Sequence, residues 1–100
     1  MHLSLQYYID VRAIHWVDVL NRLGYHPKKR GKALVIRCVF HKETTASLTL
    51  YRGGRFVCHG CGKDGDVFDF VLYRMGGDSR KAIRFIAKKF GIIPNKAKES

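Results

Sequence analysis

Three observations in this 100-residue chain predict an α+β fold, a short antiparallel sheet packed with about three helices. Two four-residue ligand turns, Cys38-x-x-His41 and Cys58-x-x-Cys61, stand with sixteen residues between them. The segments leading into them alternate polar and apolar residues with the period of a strand, and stretches outside them repeat apolar residues at helical spacing. Each ligand turn lets a tight backbone knuckle point two soft side chains at one ion. Three cysteines and a histidine then fill a tetrahedral shell with no open position. That donor set predicts one structural Zn2+, so the fold is read as a small zinc ribbon whose ion holds a shape and performs no chemistry.

Taken in order, residues 1–10 are mildly apolar without a clear period and read as an N-terminal arm, loosely docked or forming a first short turn of helix. The domain proper is expected to span 11–93. From Val11 onward Trp16, Val17, Leu20 and Leu23 have helical spacing, Gly24 supplies a left-handed stop and Pro27 follows. Lys28, Lys29, Arg30 and Lys32 surround Gly31 in a basic loop with nothing apolar to bury. Ala33 to Ile36 then begins a strand that delivers Cys38 to the metal. Ser47 to Tyr51 and Arg55 to Cys58 form a hairpin around Arg52-Gly53-Gly54, where paired glycines suit positive φ. Parity puts Leu48, Leu50, Phe56 and Cys58 inward, and Ser47, Thr49, Tyr51, Arg55 and Val57 outward.

Past the second knuckle, Gly62, Asp64, Gly65 and Asp66 read as a turn, with Asp66 as N-cap and Asp69 at the third helical position. The helix from Val67 to about Met75 carries Val67, Phe68, Phe70, Val71 and Leu72, apolar on more than one side, which makes it the main core helix. Gly76 and Gly77 stop it. Asp78 or Ser79 caps a last helix whose core stripe is Ala82, Ile83, Ile86, Ala87 and Phe90, with Lys81, Arg84 and Lys88 on a solvated face and Gly91 at its end. Residues 94–100 form a polar tail.

The net charge of +11, from 19 Lys and Arg against 8 Asp and Glu, is that of a polyanion binder. Solubility alone requires far less. An acidic membrane surface is a weaker partner, because no helix pairs a bulky apolar face with a Lys-rich one unless a core is there to cover it. Three cysteines, no signal peptide and no apolar run long enough to span a bilayer fit a reducing cytoplasm.

Rival chemistries have less support. A redox role for Cys58 and Cys61 would need a βαβ setting, whereas here Gly60 and Gly62 flank the pair. His59 would have to displace Cys61 to become a ligand, and His2, His15 and His26 have no partner at ligand spacing. Asp64 and Asp66 superficially resemble a Mg2+ pair, but turn formation and capping already account for both. No Walker loop or hydrolase motif occurs, and no catalytic residue is expected. The candidate nucleic-acid contacts are Lys28, Lys29, Arg30, Lys32, Arg37, Tyr51, Arg52 and Arg55. An exposed aromatic stacks on an unpaired base with about 1–3 kcal/mol while Lys and Arg track phosphates. The alternative for Tyr51 is a hairpin-end residue packed on its neighbour.

The string Arg22-Leu-Gly-Tyr, then Cys38-Val-Phe-His-Lys-Glu-Thr-Thr-Ala-Ser, then Phe56-Val-Cys-His-Gly-Cys-Gly-Lys-Asp-Gly-Asp, resembles the N-terminal zinc-binding domain of bacterial and phage DnaG-type DNA primases. The resemblance runs from about Val11 to Ile93. It implies zinc ligands at Cys38, His41, Cys58 and Cys61 and a helix-leading Gly-Asp at Gly65 and Asp66. Val39 stands where the family usually has proline, and Ala46 and Leu48 replace its usual Pro and Phe. These departures loosen the first knuckle and remove no ligand.

The resemblance further implies a non-catalytic module that recognises single-stranded template DNA for primer synthesis. Its expected partners are that template and a primase catalytic core or replicative helicase, with no small-molecule substrate and no membrane. The acid-rich Mg2+-binding core is expected to be supplied by another domain or another polypeptide. The alternative is a free-standing phage or mobile-element accessory protein whose ribbon docks on a helicase, polymerase or primase core.

Overall fold

The computed structural model of the protein describes residues 4–39 and 46–94. Helix α1 spans Leu5–Arg12 and begins at Ser4, whose hydroxyl accepts the Tyr7 N–H at 3.1 Å. Most of the segment read as a loose arm is therefore a packed helix, with Tyr7 and Val11 buried. Leu5 and Ile9 stay exposed, so apolar residues face both ways and no amphipathic period marks the element in the sequence.

The single helix expected from Val11 to Gly24 is broken. Helix α2 covers Trp16–Arg22, and His15 before it is extended at φ −68°, ψ 136°. That break turns the chain so that the buried Trp16 indole N–H reaches the Tyr51 carbonyl at 3.1 Å, tying the helix to the end of a strand. Gly24 stops α2 with φ +88°, and Tyr25 N–H returns to the Leu20 carbonyl at 2.9 Å.

Five strands follow as an antiparallel meander in the order β1-β2-β3-β4-β5: Lys28–Arg30, Ala33–Arg37, Ala46–Tyr51, Arg55–Cys58 and Asp64–Asp66. Two of these strands lack a sequence signature. The Lys28–Arg30 part of the expected basic loop is edge strand β1, paired Lys28↔Val35 and Arg30↔Ala33, and the Asp64–Asp66 part of the expected turn is edge strand β5, paired Arg55↔Asp66. Ladder hydrogen bonds, which any residue but proline can make, hold both edges without an apolar face.

Register confirms the inward parity: Leu48 pairs with Cys58 and Leu50 with Phe56, and all four are buried. Thr49 shares the outward side with Tyr51 and Arg55 yet is only 5% exposed. It sits between Val35 and Val57 on the central strand, where longer neighbours on both sides shield a short side chain.

Helices α3 (Val67–Arg74) and α4 (Ser79–Phe90) complete the core on the inward side. Phe70 is the hub, meeting Trp16, Tyr25 and Phe56 edge to face at 5.5–6.1 Å between ring centres. Both caps are as the sequence predicts. Asp66 and Asp69 form a reciprocal capping box with both bonds at 3.0 Å, and the Asp78 carboxylate accepts from Arg80 and Lys81 N–H. Gly91 closes α4 at φ +72°.

Gly65 is required for space rather than for backbone freedom. A methyl group there would lie 2.7 Å from a carboxylate oxygen of Asp69, so only glycine admits the capping box.

Candidate metal centre and nucleic-acid face

A meander has two ends, and its connections alternate between them. The β1–β2 and β3–β4 turns lie at one end. Cys38, just past β2, and the Cys58–Cys61 turn after β4 lie at the other.

At the second end the β4–β5 connection folds back tightly. Cys58 N–H donates to the Lys63 carbonyl at 2.7 Å, Gly62 N–H donates to the Cys58 carbonyl at 2.8 Å, and Gly62 takes φ +82°. This turn aims Cys61 N–H at the Cys58 sulfur, 3.4 Å away, the knuckle expected to stabilise a thiolate. The sulfurs of Cys38, Cys58 and Cys61 lie within 4.8 Å of one another, and the Cys38–Cys61 separation is 3.9 Å. Two thiolates at about 2.3 Å from one tetrahedral Zn2+ would stand about 3.8 Å apart. All three cysteines are free thiols, Cys38 and Cys58 buried and Cys61 exposed.

The cluster is thus suited to zinc. His59, in the same knuckle, is exposed and does not join it. His41 and the Glu43–Thr45 stretch lie outside the described residues.

All eight candidate nucleic-acid residues are exposed, Tyr51 by 40%. The outward side of the sheet gathers Lys28, Arg30 and Arg37 with Tyr51 and Arg55, by strand parity and register. Lys29 alternates to the inward side at the β1 edge, while Lys32 and Arg52 occupy the two turns of the end remote from the cysteines.

Charge is unevenly spread over this surface. Arg55 sits across the ladder from Asp66, and its charge also acts on Asp69, whose carboxyl is nonetheless pushed above the ordinary range by burial. Positive potential is therefore concentrated on the β1–β2 side. Lysines on an edge strand also discourage pairing with another chain's edge, a structural use of the same residues.

A cysteine-lined knuckle pair on an antiparallel meander, packed on one side by helices, defines a zinc-ribbon domain of the kind found in primases. The chain belongs to the CHC2 zinc finger family, whose profile, the zinc ribbon of DnaG, matches residues 6–100. It is 37% identical over 92 residues to a DNA primase of Chlamydia muridarum, covering 86% of this chain and 15% of that protein. A DNA primase of Myxococcus xanthus is 34% identical over 79 residues, covering 76% of this chain and 13% of its own length.

The fold matches the crystal structure of the zinc-binding and RNA polymerase domains of Aquifex aeolicus primase with a TM-score of 0.70 at 25% identity, covering 94% of this chain and 24% of that one. The chain thus spans only about a seventh of the curated relatives it matches. Among the described residues no helix is long and apolar enough to cross a membrane.

Proposed function

We propose that this domain binds one structural Zn2+ through Cys38, His41, Cys58 and Cys61 and presents a basic sheet face to single-stranded template DNA for primer synthesis, without catalytic activity of its own. The observation that carries the reading is the outward sheet side. Catalysis belongs to a primase core acting in the bacterial cytoplasm on the same template, in cis or in trans.

The alternative of an accessory protein docked on a helicase or polymerase makes the opposite prediction for the same residues. The test is a salt series of single-stranded oligonucleotide titrations with the zinc-loaded protein. Affinity should fall steeply between 50 and 200 mM salt, and Tyr51→Ala with Arg37→Ala should weaken binding about tenfold or more. Salt-independent affinity, or full affinity in the double variant, would sink the DNA-binding reading and favour a protein partner.

A further inference from the structure

The end of the sheet remote from the cysteines holds a second basic feature, on the helix side of the molecule. A groove of about 560 Å³ opens between the α1–α2 connection and the β3–β4 turn. Its polar rim is Arg12, His15, Lys32 and Arg52, and its floor is Trp16, Leu34 and Leu50. Among the described residues no carboxylate lines it.

Four basic side chains from three separate stretches of chain converge there, which costs electrostatic repulsion unless an anion shares the site. Arg12 is the most constrained of them. It is half-buried, it ends α1, and Gly54 packs so closely on it that a methyl group at Gly54 would lie 2.6 Å from the Arg12 carbonyl. Gly54 also takes φ +81°, so this turn stays bare on two counts, and the guanidinium is held by backbone packing at the groove rather than left to swing in solvent.

A fixed planar guanidinium flanked by point charges, over an apolar floor, matches a phosphate group carried by a flat, partly apolar molecule. We propose that this groove is a phosphate-binding site for a nucleotide, separate from the outward sheet face because neither Tyr51 nor Arg55 lines it. The phosphate is either the polyphosphate of a free nucleoside triphosphate or a backbone phosphate of a bound strand. The site lies on the opposite side of the β3–β4 hairpin from the stacking surface proposed above.

The experiment follows amide spectra and affinity for three probes, ATP, tripolyphosphate and a single-stranded oligonucleotide, with zinc-loaded wild-type protein and with Arg12→Gln and Lys32→Glu. ATP and tripolyphosphate should shift the Gly53 and Gly54 amide signals. Arg12→Gln should weaken both by about fivefold or more, while Lys32→Glu, in an exposed turn where folding is not at risk, should weaken both at least as much. If the two variants weaken the oligonucleotide instead of ATP, the phosphate is that of a strand and the site stands.

If wild-type protein binds ATP at these amides but no oligonucleotide, the groove stands and the template-binding reading falls. Probe binding that leaves the Gly53 and Gly54 amides unmoved, or affinities for all three probes that neither variant changes, would overturn the proposal.

Discussion

Tyr7 is the most buried aromatic of α1, yet its hydroxyl has no hydrogen-bond partner among the described residues. Burial, with Tyr8 beside it, pushes its pKa up to about 12. An unpartnered hydroxyl in a core costs about 1–3 kcal/mol of desolvation. Tyr7→Phe keeps the ring contacts with Tyr8 and Phe68 and discards that cost, so urea denaturation should show the variant more stable by about 1 kcal/mol. A loss of stability would mean the hydroxyl has a partner.

Asp69 offers a test of opposite character. Its folded-state pKa is raised, so between the ordinary aspartate value and the raised one the native state holds more protons than the unfolded chain. Unfolding free energy must then fall as pH rises through that window. Asp69→Asn keeps an oxygen to accept the Asp66 N–H and removes the titration. Its stability-against-pH curve should be flatter just above the ordinary aspartate range, with the difference read by denaturation at several pH values.

Among the elements, those legible in the sequence were the ones with a face to bury. β3, β4, α3 and α4 alternate or repeat their apolar residues in step with their geometry, and the inward set Leu48, Leu50, Phe56 and Cys58 follows from parity alone. α1, β1 and β5 were not legible. The first mixes exposed Leu5 and Ile9 with buried Tyr7 and Val11, and the other two are polar edges held by backbone ladders, which leave no trace in side-chain pattern.

Ser4 ahead of α1 was the one available signal, since it caps the helix as serine commonly does. Gly65 is legible as a small residue but not as a necessity, because the reason is the Asp69 side chain folded over it. Gly65→Ala should force that carboxylate aside, break half of the capping box and cost about 1–2 kcal/mol, measured by thermal unfolding. Leu48→Ala, by contrast, would empty the core and cost more, about 2–5 kcal/mol.

At the scale of the whole molecule, three of the four ligands named from spacing come together in space, which spacing alone could not guarantee. The sequence was silent on which end of the sheet each basic residue occupies, because that depends on how many strands the meander has. Only with β1 and β5 counted does the basic cluster at Lys32 and Arg52 fall at the far end from the cysteines.

That opposition means the molecule should come apart from one side. Chelating the ion removes the only non-backbone bond between the two knuckles, whereas the distant turns keep the Trp16–Tyr51 link and the press of Gly54 on Arg12. In hydrogen–deuterium exchange after chelator is added, amides at Cys58 and Gly62 should lose protection first and those of α1 and α2 last. A domain stripped of its ion would thus resemble a zip opened from the bottom, with its upper teeth still engaged.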